Sequence, residues 1–467
     1  MREFRNYGEE NRYIPAGPFK VRLPGVHYRF EWADYIQGLI MCAVCLGAIP
    51  ILQECLGMPF EVAIAIVVLN GFLYTWHTLL GDPVIPGWIT PAIPLLVAYC
   101  LTFPEGATRM QALIAFEMGL GIFAIFLGTT GLAGKLIGII PNAIKSGIIM
   151  GAGFSAIYMI FKTGGKFDAF PITTTICIGI AFYLLFSNHF AKLAAKGGIW
   201  ASIANLGILP CIVAAIIVAP IIGETAWPTI EWSITQPAFG TLWTEWVPWG
   251  AIGWPSAKMF IMSIPTIVAV YIVLFGDVVQ SQALVKDADV TRPDEHIDYS
   301  ADRAHLIFGI RNLIMSIIGP DITMCGPLWA AMQVVTCERY KKGRESMDSL
   351  FGGAASFRWG TFTGYWLMPI VTLTKPILPV ALALTMIVQG FVSVRIGAME
   401  SRSFRDLGIA GVIGGVLLAK GAAYAFGVGI LACLIAYGGN FFKGDVDFGH
   451  LWASELEDAL KEEEKSA

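Results

Sequence analysis

The residues best placed for chemistry in this chain are ionisable or polar groups set inside long apolar runs. Asp277 follows Gly276 in the run 257–284, with Gln280 one helical turn further along the same face. A carboxylate at such depth is costly; it exchanges a proton or helps hold sodium, or it pairs structurally with a cation such as Arg311. Asp321 lies in Gly319-Pro-Asp-Ile322-Thr323, where it orients extended backbone or touches a solute. Trp88 and Trp329 offer flat faces for stacking a planar ligand, or simply pack. His77, near the inner end of the second run, titrates near neutral pH or is a hydrogen-bonded core histidine. Gln53 and Glu54 sit in the outer half of the first run. Lys145 and Arg395 stand at run ends, where long cations snorkel to the surface or draw anions inward. The six histidines are scattered and the nine cysteines have no metal or disulfide spacing. No nucleophile–base set, metal centre or cofactor is therefore expected, and neither an enzyme nor a nucleic-acid partner.

The elements that position these groups are membrane spans. Of 467 residues, 56% are hydrophobic and 14% charged, and mean hydropathy is +0.66, so most of the chain faces lipid. A span needs about 20 apolar residues. Runs near 33–57, 60–81, 109–132, 136–162, 168–187 and 200–222 precede a tryptophan-rich connector at 223–256; runs near 257–284, 302–319, 355–374, 376–397, 404–424 and 426–442 follow it. Two further stretches, 84–102 and 318–338, are apolar but interrupted by Gly and Pro. The sum is fourteen spans, seven on each side of the connector. Basic residues concentrate in the basic arm at 1–32 and in alternate loops, which places both termini in the cytoplasm of a bacterial-type inner membrane. An odd number of spans per half inverts one half (33–222) relative to the other (257–443), leaving a short acidic tail at 444–467. The connector reads as an amphipathic segment on the outer interface, or as a lid.

The interrupted spans carry an internal repeat. Ile89-Thr90 with Pro94-Leu95 recurs at one offset as Ile322-Thr323 with Pro327-Leu328, and Ile140-Pro141 recurs as Leu378-Pro379. Extended backbone at membrane depth is tolerated only where protein or a polar cavity satisfies it. Each interrupted span should be a short strand followed by a half-helix, beginning near Pro91 and near Met324–Pro327. Their opposed N-termini would form a site for an anion or for carbonyl oxygens.

Three stretches resemble the xanthine/uracil permease (nucleobase–ascorbate) family and, more distantly, the sulfate permeases: the run from Thr78 to Pro91, the run from Gly276 to Asp287 with its continuation through Gly309-Ile-Arg311, and Gly319 to Gly326. Ile140 to Gly151 also fits. The resemblance implies an all-α, fourteen-span inverted repeat with short strands in spans 3 and 10. It implies a core domain of spans 1–4 and 8–11, a gate of spans 5–7 and 12–14, proton or sodium symport, and often a homodimer. Val273 and Gly326-Pro327 stand where nucleobase carriers place glutamates, which lowers the fixed negative charge near the two helix N-termini and favours an anion. The expected function is ion-coupled transport of a small organic or inorganic anion, with Trp88, Ile89, Thr90, Gln280, Asp321, Ile322 and Thr323 at the substrate and Asp277 with Arg311 at the coupling ion. The other readings are a nucleobase–proton symporter and a passive anion channel.

Overall fold

A computed structural model describes residues 4–441, apart from 134, 136–139, 205 and 207; the acidic tail lies outside the described residues. Its principal helices are α1 (Trp32–Cys45), α2 (Ala48–Leu56), α3 (Phe60–Tyr74), α4 (Ile93–Leu101), α5 (Ala107–Thr130), α6 (Asn142–Phe161), α7 (Pro171–Phe186), α8 (Leu209–Ile221), α9 (Ala257–Thr291), α10 (Ala301–Ile318), α11 (Ala330–Lys341), α12 (Leu350–Gly364), α13 (Leu378–Glu400), α14 (Phe404–Lys420) and α15 (Ala422–Tyr437). Among the described residues, seven helices are long and apolar enough to cross a membrane, and an eighth is counted if α7 and Asn188–Ala195, bent by 56°, form one span. This is a multi-pass membrane protein. The other expected spans coincide with helices too short or too polar to qualify alone, such as α10, α12 and α14, and with the two interrupted segments.

Helices pack where glycine lets backbones meet, the usual device in lipid, where apolar surface alone gives little drive for association. On α1 and α12, a Cβ at Gly38 would lie 2.0 Å from the Phe357 carbonyl oxygen, and one at Gly360 would lie 2.1 Å from that of Tyr35. Gly121 on α5 and Gly309 on α10 face each other in the same way, as do Gly153 on α6 and Gly390 on α13. The major helix pairs are α1 with α12, α5 with α10, α5 with α9, α6 with α13 and α6 with α14.

The N-terminal arm docks against helix ends. Its hairpin pairs β1 (Ile14–Ala16) with β2 (Phe19–Val21), and the N–H groups of Lys20 in β2 and of Arg22 just after it donate to the Leu80 and Leu79 carbonyls at 3.2 and 2.9 Å. Buried Arg5 binds the Asp294 carboxylate at 2.8 Å and the Asp348 carbonyl at 2.7 Å, tying the α9–α10 loop to the approach to α12. Arg292 adds two bonds to Asp294 at 2.6 and 2.8 Å. In the connector, Trp243 and Trp249 donate their indole N–H groups to the Ile318 and Ile317 carbonyls, each at 3.0 Å. They thereby satisfy acceptors that the end of α10 leaves open. The connector is thus anchored to a helix end through these two indoles.

Two outcomes follow. Gly360→Ala places a methyl against α1 backbone that has no side chain to move aside; overpacking of this kind costs about 1–3 kcal/mol, read as a lower melting temperature of purified protein. The second concerns pH. The Arg292 guanidinium, with Arg5 beside it, lowers the Asp294 carboxyl from 3.8 to about 2. A depressed carboxylate stabilises the fold above its unfolded value and loses that contribution as pH falls through the folded one. Asp294→Asn should melt below wild type at neutral pH, with the difference closing as pH drops from about 4 towards 2.

Candidate functional site

The two interrupted spans cross. Gly326 N–H donates to the Gly87 carbonyl at 2.7 Å and Gly87 N–H returns a bond at 3.4 Å; Ile89 N–H reaches the Thr323 carbonyl at 3.3 Å and Trp329 N–H the Ile85 carbonyl at 2.7 Å. Ile85 N–H is taken by the buried Gln333 Oε1 at 2.7 Å. These bonds supply the partners that non-helical backbone needs at this depth. The contact is an isolated antiparallel bridge at Gly87 and Gly326 rather than the strands expected in spans 3 and 10. Close approach explains the glycines: a Cβ on Gly326 would meet the Gly87 oxygen at 3.0 Å.

The half-helices differ in where they start. The first begins as expected, with a 3-10 turn at Thr90–Ala92 leading into α4. The second does not begin near Met324–Pro327; α11 starts at Ala330. Met324 is left-handed, at φ 58°, unusual for a side chain of its size. That turn, followed by the Gly326 bridge, keeps the chain extended through Pro327 and Leu328. Asn312 braces it by exchanging two 2.9 Å bonds with Cys325 backbone, and Tyr74 OH donates to the Met324 carbonyl at 3.3 Å.

Beside the crossing lies a cavity of about 400 Å³. Trp88, Thr90, Gln280 and Asp277 line it, with Trp329 and the first residues of α11 opposite and Gln389 and Arg395 of α13 on the far wall. Neither α4 nor α11 has a side-chain N-cap; at α4 the Ile93 N–H is taken by the Thr90 carbonyl and Pro94 has none, so it is the first turn of α11 that lines the cavity uncapped. Arg358 of α12 also lines the cavity. It is 1% exposed, and its Nε, Nη1 and Nη2 have no hydrogen-bond partner among the described residues. Its guanidinium rests 4.4 Å from the Tyr74 ring centroid and 5.1 Å from that of Trp329. The cavity therefore presents two arginines, Arg358 and Arg395, against one aspartate, Asp277.

Of the expected site residues, Trp88, Thr90, Gln280 and Asp277 come together on this cavity. Ile89, Ile322 and Thr323 are wholly buried behind it, and Asp321 is buried with them, accepting bonds from Asn70 and Thr323. The expected pairing of Asp277 with Arg311 is not found. Arg311 lies against Tyr74 and Asn70, while no ion pair or hydrogen bond reaches the Asp277 carboxylate among the described residues. His77 is a packed histidine, its Nδ1 2.9 Å from Asp82 Oδ2. Lys145 pairs with Glu400 at 3.0 Å, and Glu54 with Lys166. Arg358 and Glu117 were missed, although each is a lone ionisable residue in an apolar run, the signal that singled out Asp277.

No family model and no curated protein matches the sequence. The fold does have solved counterparts. The transmembrane domain of a cyanobacterial bicarbonate transporter, BicA, aligns with a TM-score of 0.52 at 15% identity, over 84% of this chain and 96% of that one. SLC26A9 aligns at 0.52 and 13%, over 85% of this chain and 65% of its own length. Murine Slc26a9, described as an anion transporter in the inward-facing state, aligns at 0.52 and 13%, over 87% and 68%. At such identities the likeness is one of fold. It lends no support to the xanthine/uracil permease resemblance.

Proposed function

We propose that the protein is a secondary active transporter that moves a small anion by alternating access, with the cavity beside the crossing as its substrate site. The observation that carries this reading is Arg358, a buried guanidinium on the cavity wall with no carboxylate in contact and no hydrogen-bond partner among the described residues. An isolated buried cation is costly unless something pairs with it, and an anion entering beside the uncapped first turn of α11 supplies the pair. A planar nucleobase would call for carboxylates to grip ring N–H groups; the cavity offers one, Asp277, against two arginines.

Alternating access is supported by a second cavity of about 580 Å³, bordered by Ile51, Glu54, Val97, Lys162, Lys166 and Leu382. In the expected topology these residues lie at outer span ends, whereas Arg395 and Ile396 of the first cavity lie at an inner one. The packing also supports an inverted repeat. Numbering the fourteen expected spans, adding seven turns the pair 1 with 11 (α1 with α12) into 8 with 4 (α9 with α5), and 5 with 13 (α6 with α14) into 12 with 6 (α13 with α7); all four pairs are in contact. On this reading spans 1–4 and 8–11 form the core and the rest the gate, in an inner-membrane homodimer with both termini in the cytoplasm. The coupling ion is a proton or sodium, and Asp277 is the carboxylate that meets it on the cavity side. Ion coupling separates a symporter from a passive channel.

The test is uptake into proteoliposomes of labelled sulfate, bicarbonate and succinate, with and without ion gradients. Wild type should accumulate at least one of them only when the gradient is present. Arg358→Gln removes a charge-assisted contact of about 1.5–3 kcal/mol, raising KM roughly ten- to a hundredfold, while Arg358→Lys recovers part of the loss. Uptake competed by nucleobases and indifferent to every anion sinks the proposal.

A further inference from the structure

Behind the cavity wall a second set of buried charges continues from Arg358. Two guanidiniums lie against the Tyr74 ring, Arg358 at 4.4 Å from its centroid and Arg311 at 4.2 Å. Arg311 is 0% exposed; its Nη2 reaches Asn70 Oδ1 at 3.4 Å, and its Nε and Nη1 have no hydrogen-bond partner among the described residues. Asn70 donates to Asp321 Oδ2 at 2.5 Å, and Thr323 donates to the same carboxylate from its N–H at 2.9 Å and its hydroxyl at 2.6 Å. The Asp321 N–H then donates to Glu117 Oε2 at 3.2 Å. Glu117, on α5, is 0% exposed, and its Oε1 has no partner among the described residues.

These contacts divide the two carboxylates by role. Asp321 accepts three hydrogen bonds, the environment of an ionised carboxylate. Glu117 accepts one and has no cation in contact. From the interrupted span Asp321 faces it through its N–H, with Cys325 on the same segment; Arg311 of α10 reaches Asn70 and Tyr74 instead. On α9, Tyr271 is engaged with His305 at 2.8 Å. On α4, Cys100 is buried, and Tyr99 lies tilted beside Phe116 with its hydroxyl unpartnered among the described residues.

The formal charges balance in two ways. With the cavity empty and Glu117 ionised, Arg311, Arg358 and Arg395 offset Asp321, Asp277 and Glu117. With a monovalent anion beside Arg358, balance returns if Glu117 takes a proton. Either mismatched combination leaves an uncompensated charge in a low-dielectric interior, which is what makes two bindings cooperative.

We propose that Glu117 carries the proton that travels with the anion. The proton adds to a Glu117 carboxylate oxygen as the anion binds, and the resulting carboxylic acid releases it when the anion leaves; no other bond is made or broken. This rests on the anion reading of the cavity, and it assigns the coupling ion as a proton and its carrier as a residue outside the cavity.

The experiment uses full-length protein in proteoliposomes with labelled sulfate, chloride and succinate as probes. Counterflow at equal pH reports anion translocation; accumulation under an inward proton gradient, with external alkalinisation, reports coupling. Wild type should do both. Glu117→Gln should keep counterflow within about threefold and lose pH-driven accumulation and proton movement, while Glu117→Asp keeps all three. In addition, wild-type affinity for the transported probe should weaken as pH rises, by up to about tenfold per unit, a measurement that requires no variant to fold. pH-driven accumulation by Glu117→Gln, its loss in Asp277→Asn alone, or a pH-independent affinity overturns the proposal. Absence of wild-type counterflow for every probe overturns the anion reading and the proposal with it.

Discussion

Backbone polar groups have no water to turn to inside a bilayer, and the rest of this structure depends on how two interrupted spans meet that constraint. They do so against each other. The Gly87–Gly326 bridge, the Ile89–Thr323 and Trp329–Ile85 bonds and the Gln333 amide together occupy groups that a helix would have satisfied internally. Each accommodation has a local consequence. Both bridge positions are glycine because a Cβ would strike the opposing segment. Met324 takes a left-handed conformation that Asn312 and Tyr74 hold in place. The helices that resume afterwards start beside a cavity without side-chain caps.

The charges are arranged around that crossing. Arg358 and Arg311 lie against one tyrosine ring, and Tyr74 also bonds the strained turn. A cation–π contact stabilises a desolvated guanidinium by about 2 kcal/mol, less than the several kcal/mol a buried ion loses in leaving water. The remainder needs negative charge nearby. Asp321 supplies some of it behind the wall; on the cavity side the described residues leave Arg358 unpaired. A structural cation would be expected to have a resident carboxylate, whereas a cation that serves a mobile ligand must be free to exchange its partner.

Much of this was legible beforehand because proline and glycine punctuate apolar runs in a way that lipid-facing helices avoid. Ile89-Thr90 and Ile322-Thr323 marked the crossing correctly, and the first half-helix begins where Pro91 indicated. The second was misplaced because Pro327 is a good helix starter in isolation, yet the left-handed Met324 and the Gly326 bridge hold the chain extended until Ala330. Arg311 and Asp277 are both deep, but which buried group meets which is a fact of packing, not of spacing: Arg311 reaches Asn70 and, among the described residues, no carboxylate. Arg358 and Glu117 escaped for a related reason. A lone ionisable residue in an apolar run announces cost; whether that cost is met, and by what, is decided by neighbours from helices distant in sequence.

The tight helix crossings and the docked arm bear on how such a site could change its accessibility. Arg358 reaches the cavity from α12, which is seated on α1 through Gly38 and Gly360 with almost no intervening side chain. Arg5 and Arg292 tie the approach to that helix to the loop after α9, the helix that carries Asp277. Groups from α1, α9 and α12 are thereby held in one geometry relative to the crossing. The far wall, with Gln389 and Arg395, belongs to α13, which is seated instead on α6 through Gly153 and Gly390. A cavity whose charged wall is braced so firmly changes shape most readily by displacement of the wall that is braced elsewhere.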